Sequence, residues 1–234
     1  MISSSGKFRA RTLAVAVVCL ISFSAFAGGI TVGGTRIVYP AAAKQTDISI
    51  RNTSSRSSFL VQSWVDDAQG VKIPDFIVTP PLYVSAPGNE NTLRIMYTGM
   101  PLPSDRESLF YFNAKAIPSM NKSQTENSNV LMFAAVTRIK LFVRPKGLAP
   151  SVDQAPDHLT FHRQGGHMII NNPTPYYLTL TGLHSGTIAL QDVMVPPRGT
   201  AEDPLPAGAS ATVTYHTIND YGAITAERRA SFAS

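Results

Sequence analysis

Cysteine is all but missing from this sequence, whose 234 residues hold one, Cys19. It lies within an N-terminal apolar run, so beyond that run neither thiol chemistry nor a disulfide is available. Charge is scarce too. Asp, Glu, Lys and Arg make up 15% of the residues, and the formal net charge of +5 overstates the basicity. Three of those charges are Lys7, Arg9 and Arg11, which leaves about +2 for the rest and gives no reason to expect nucleic acid. The familiar catalytic signatures are absent: there is no G-x-S-x-G elbow, no P-loop and no H-E-x-x-H. His158, His162 and His167 lie close in sequence, but their spacing fits no common ligand pattern. No catalytic residue, metal site or cofactor is therefore expected. After residue 27 no apolar run is long enough to cross a bilayer, so stable membrane insertion is not expected either.

The first residues read as an export signal. The basic residues Lys7, Arg9 and Arg11 precede an apolar run over residues 13–26, and Ala25-Phe26-Ala27 supplies the small-residue cleavage pattern. The competing reading is an uncleaved anchor, but the run falls short of the roughly 20 residues a spanning helix needs. Residues 1–27 are expected to be a signal peptide, and a mature chain of about 207 residues is expected to work outside the cytoplasm. That length supports one large core or two of roughly 100 residues each.

Short alternating segments separated by turn residues fill the mature chain. Residues 46–52 alternate with period two, and residues 59–65, 83–85 and 92–96 are similar. Pro80-Pro81 and Pro87-Gly88 punctuate them. No sustained helical period appears, so the fold class is all-β, built from sandwiches. The stretch Arg144-Pro145-Lys146-Gly147-Leu148-Ala149-Pro150 cannot sustain a ladder and reads as a linker. A hinge around residues 145–152 divides an N-terminal domain, 28–147, from a C-terminal domain, 152–234.

Two features stand out from that background. Residues 130–136, Val-Leu-Met-Phe-Ala-Ala-Val, are apolar on both faces and follow a polar loop over residues 119–129. Either they form a central strand covered on both sides, or an edge strand whose outer face a partner covers. The second feature is a pair of cations among apolar strands, Arg36 and Lys140. Each is either a solvated surface residue or, if both face one cleft, half of a carboxylate anchor.

Several segments, in order, resemble the PapD-like and FimC-like periplasmic pilus-assembly chaperones. They are Gly34-Thr35-Arg36, the run from Asp105 to Asn113, Ile117-Pro118, the run from Ile139 to Pro145, Asn172-Pro173-Thr174-Pro175-Tyr176-Tyr177, and Ile218-Asn219-Asp220-Tyr221-Gly222. The resemblance spans essentially the whole mature chain. It implies two immunoglobulin-like β-sandwich domains arranged as a boomerang with an interdomain cleft. It implies a periplasmic, non-enzymatic chaperone that holds pilus (fimbrial) subunits by donor-strand complementation and passes them to an outer-membrane usher. It leaves room for a self-capping homo-oligomer when no subunit is bound. Carried over residue by residue, Arg36 and Lys140 match the anchor of the subunit's C-terminal carboxylate. Leu131, Phe133 and Ala135 match the donated side chains, and Glu107, Arg144 and Asp220 match an interdomain charge network. The short polar loop, the short N-terminal arm and the lack of a cysteine pair resemble the short-loop branch. The rival reading is a structural pilus subunit or adhesin, disfavoured because such subunits are usually single incomplete sandwiches with a cysteine pair.

One difficulty is internal to this assignment. The three donor residues have odd numbers and Lys140 an even one, so in a regular strand they point to opposite faces. Either a bulge intervenes or the lysine enters the cleft from the other face.

Overall fold

A computed structural model describes residues 28–119 and 131–233. The expected signal peptide, most of the polar loop and Val130 lie outside the described residues. Among the described residues no helix is long and apolar enough to cross a membrane.

The first nine strands are β1 (Ile30–Val32), β2 (Arg36–Pro40), β3 (Thr46–Asn52), β4 (Phe59–Asp66), β5 (Phe76–Thr79), β6 (Leu82–Ser85), β7 (Glu90–Tyr97), β8 (Ser108–Pro118) and β9 (Ala135–Arg144). They form one sheet in the order β1-β3-β7-β5 and a second in the order β2-β9-β8-β4-β6. Alternation places one face of each strand inside. Ile48 and Ile50 on β3, Leu93 and Ile95 on β7, Phe110 and Phe112 on β8, and Ile139, Leu141 and Val143 on β9 share a single core. Phe76 packs against Phe110 edge-on at 4.9 Å between ring centroids, a favoured aromatic geometry.

The remaining strands are β10 (Thr160–Gln164), β11 (His167–Asn172), β12 (Leu178–Ser185), β13 (Ile188–Ala189), β14 (Val193–Val195), β15 (Gly199–Pro204), β16 (Thr212–Thr217) and β17 (Arg228–Ala233). They pair in the path β13-β12-β16-β17-β10-β11-β15, with β14 on β12. A separate core contains Phe161, Met168, Ile170, Leu180, Leu183 and Tyr215. The fold is thus all-β with two sandwich cores, and between them runs a connection ending in a short 3-10 helix, Ala155–His158. Tyr176 donates its hydroxyl to Pro150 O at 3.1 Å, fastening that connection to the second core.

The two halves share one internal device. Asn52, at the end of β3, donates to the carbonyls of Ser57, Ser85 and Ala86 and accepts from the Ser54 amide. Asn172, at the end of β11, donates to Tyr176 O and Pro196 O and accepts from Thr174. Both side chains are fully buried. Each ties together loops that would otherwise bury unsatisfied carbonyls.

Residues 131–134 do not form the strand that the sequence suggested. Pairing of β9 with β8 starts only at Ala135, opposite Ala116, and residues 131–134 carry no ladder. Extending the same register would set Phe133 against Pro118, which has no N–H to give. His167, one of the three clustered histidines, lies instead beside Glu202, with Nδ1 3.4 Å from Oε1.

Candidate functional site: an open strand edge ending on two cations

The arrangement starts with β9. Its register against β8 is unbroken from Ala135–Ala116 to Val143–Ser108, so no bulge separates Ala135 from Lys140. Ile139, Leu141 and Val143 enter the first core, while Lys140, Phe142 and Arg144 lie on the opposite face. The parity problem is thereby settled: Ala135 continues the core-facing row, and Lys140 reaches the cleft from the other side. Just ahead of the strand, Leu131 and Phe133 are 77% and 75% exposed, an unusual state for large apolar side chains placed so close together.

The second edge of β9 is only partly covered. β2 runs parallel to it and pairs from Arg36 with Lys140 to Pro40 with Arg144. Among the described residues no strand pairs with that edge between Ala135 and Ile139. Such an edge leaves backbone N–H and C=O groups pointing at solvent and is a template for another strand.

Where β2 begins, the open edge ends, and Arg36 and Lys140 stand there as register partners. Each is held by the second domain. Arg36 Nη1 donates to Ile218 O at 3.0 Å, and Lys140 Nζ donates to Thr179 Oγ1 at 2.9 Å. Neither cation forms a salt bridge among the described residues, and Arg36 Nε is buried with no partner there. Burial pulls the Arg36 pKa down, with Asp220 and Glu107 resisting. Burial likewise depresses Lys140, and the Arg36 charge depresses it further. Two half-buried cations that repel each other and form no salt bridge among the described residues are suited to a carboxylate.

A third group of charges joins the domains. Arg144 Nε donates to Glu107 Oε1 at 2.6 Å, and its two terminal nitrogens form a bidentate pair with Asp220 at 2.6 and 2.7 Å. Glu107 is 3% exposed, and its second oxygen accepts the Tyr177 amide at 2.8 Å. Burial pushes the Glu107 pKa up while Arg144 opposes the shift. Burial also works against the Arg144 charge, but the Asp220 and Glu107 contacts more than offset it and raise its pKa. The structure therefore brings Glu107, Arg144 and Asp220 into contact, on one wall of a cleft cavity of about 230 Å³ that Arg36 also lines. A roomier concavity, about 530 Å³ beside Tyr39, Tyr97 and Leu102, lies away from both cations, and Lys146 is its one charged lining residue.

Several contacts escaped sequence reasoning. Phe142 stacks on Tyr177 across the cleft at 5.6 Å, and Arg198 reaches Asp105 at 3.3 Å. Thr179, which holds Lys140, carries no sequence signal, and Ile218, whose carbonyl holds Arg36, was legible only as part of the Ile218–Gly222 segment. Gly222 carries a faint one: it has φ +82°, and a Cβ there would collide with the side chain of Thr35.

Comparison with known proteins accords with this geometry. Residues 29–149 match the family model described as pili and flagellar-assembly chaperone, PapD N-terminal domain. Residues 154–229 match that of the pili assembly chaperone PapD, C-terminal domain. The probable fimbrial chaperone SfmC of Escherichia coli K12 is 49% identical over 210 residues, covering 89% of this chain and 91% of its own. The chaperone protein FimC of the same strain is 50% identical over 198 residues, covering 84% and 82%. Among solved structures, the periplasmic chaperone SfaE superposes with a TM-score of 0.76 at 44% identity, over 86% of this chain and 98% of that one. The SafB chaperone, solved in complex with the SafA pilin of Salmonella enterica, gives 0.79 at 26% identity over 87% and 96%. With the two family models matching most of the chain and relatives near half identity, the chain belongs to the PapD family of pilus-assembly chaperones.

Proposed function

We propose that this chain is a periplasmic chaperone that holds pilus subunits by lending them the open edge of β9, without any catalytic step. One observation carries the reading: the uncovered edge from Ala135 to Ile139 ends at the Arg36–Lys140 pair. A subunit strand laid on that edge takes up the track of β2 where β2 is missing. It runs parallel to β9, and its last residue arrives at the two cations, which receive the terminal carboxylate through charge-assisted hydrogen bonds. The carboxylate fixes the register, and the main-chain ladder supplies affinity with little dependence on sequence.

The odd-numbered row of β9 faces the chaperone's own core through Ile139, Leu141 and Val143. Leu131, Phe133 and Ala135 extend that row beyond the sandwich, so they enter the groove of a subunit that lacks a strand. Each well-buried large side chain contributes about 1.5–3 kcal/mol. Ala135 contributes little by its own volume and suits a bulkier subunit residue opposite. Residues 131–134 join β9 only when the subunit is present, because Pro118 cannot pair with Phe133. Glu107, Arg144 and Asp220 fix the angle between the domains, which matters because the second domain holds both cations in place. Release then occurs by strand exchange at an outer-membrane usher, and without a subunit the same edge can be capped by a second copy of the chain.

Co-expression with pilus subunits tests the function. A stable one-to-one complex in periplasmic extracts is expected, and recovery of the chain always free of subunit would contradict it.

A further inference from the structure

We infer that Tyr221 and Ile224, at the tip of the loop over residues 218–225 in the second domain, form a contact patch for the last residues of the captured subunit; the inference rests on the donor-strand reading above. The loop is held at three points. Ile218 O accepts from Arg36 Nη1 at 3.0 Å, Asp220 is the bidentate partner of Arg144, and Gly222 lies against Thr35 so closely that any Cβ would clash. Inside the loop, Asn219 Oδ1 accepts from the amides of Tyr221 and Ala223 at 3.1 and 2.9 Å. Ile224 pairs across from Ile218 in an isolated bridge.

A loop fixed in this way has little freedom, yet it presents Tyr221 at 92% exposure and Ile224 at 66%. Neither side chain supports the fold at that exposure. Both sit within a few residues of the groups that build the cation seat, one beside Asp220 and the other opposite the residue that grips Arg36. Thr35, which the tip touches, is the residue just before β2, where the vacant strand track begins. The patch therefore lies beside the carboxylate seat, within reach of a chain that ends there. Rigid tyrosines with two side-chain torsions are favoured in interface hot spots because little entropy is lost on contact. The occupant is the subunit's C-terminal strand and not a separate partner.

The test uses the full mature chain and a synthetic peptide of a pilus subunit's C-terminal strand, with a free carboxylate. Y221A combined with I224A is expected to weaken binding tenfold or more with the melting temperature unchanged, while Y221F stays within about twofold. Binding by the double variant within twofold of the parent would overturn the inference. K140A measured in parallel separates the two claims: if it fails to bind while the double variant binds normally, the anchored-strand reading stands and the patch does not. If K140A also binds as the parent does, the underlying reading itself fails. Normal peptide binding by the double variant with loss of binding to an usher would assign the patch to the usher and overturn the inference as well.

Discussion

Arg36 and Lys140 face each other as register partners on the adjacent parallel strands β2 and β9, and both reach across to the second domain for a hydrogen bond. Two cations placed side by side repel each other, and neither forms a salt bridge among the described residues. On the proposed reading they form an anion seat at the end of a free strand edge. Removing either cation should leave the fold intact, since each is only partly buried. K140A and R36A are expected to abolish co-purification of subunit while the melting temperature changes by no more than a few degrees. Subunit recovered at parent level would remove both residues from the binding account.

The same pair sets a pH dependence. Burial and the Arg36 charge hold Lys140 below its ordinary value of 10.5 in the free chain, and a bound carboxylate raises it. The lysine's contribution to capture is therefore complete below the free-state pKa and is lost as pH rises through the bound-state pKa. Peptide affinity should be flat near neutrality and fall on the alkaline side. In K140R that alkaline fall should disappear, because arginine does not deprotonate in this range. An alkaline limb equal to the parent's in K140R would assign the titration to another group.

On the proposed reading Phe133 is the large donated side chain. F133A should weaken subunit binding by about 2 kcal/mol, or roughly thirtyfold. F133D should prevent capture, because an unpaired carboxylate cannot enter an apolar groove. Competition binding with a fixed subunit measures both. Equal losses for alanine and aspartate would indicate that the side chain stays at the rim.

Glu107 lies buried between Arg144 and the Tyr177 amide. Deleting one partner of a buried pair leaves the other charge uncompensated, so E107A should lower unfolding free energy by about 3 kcal/mol. Arg144 retains Asp220, which sets the loss at the lower end of that range. Urea denaturation measures the loss, and small-angle scattering reports the accompanying change in domain angle. An unaltered midpoint and scattering curve would mean that the network does not hold the domains.

Much of this was legible in the sequence, for reasons that differ from feature to feature. Residues 46–52 alternate cleanly because one face of β3 is buried and the other wet, which is the condition under which period two is visible. The doubly apolar run at 130–136 announced a surface needing cover, but its extent as a strand was overestimated. Whether residues 131–134 pair depends on Pro118, a residue distant in sequence. The cations Arg36 and Lys140 could not be told from solvated ones until register placed them side by side. The contacts made by Thr179, by the Ile218 carbonyl and between Phe142 and Tyr177 were illegible. They act only through the angle between the domains, and no local pattern encodes that angle.

Strand lending is the central claim, and amide hydrogen exchange over residues 131–139, with and without a bound subunit, tests it most directly. In the free chain residues 131–134 should exchange rapidly and residues 135–139 only in part be protected, because one edge faces water. With subunit bound, the whole segment should gain strong protection together, including Leu131 and Phe133. An unchanged exchange rate across residues 131–139 in a stable complex would contradict the claim.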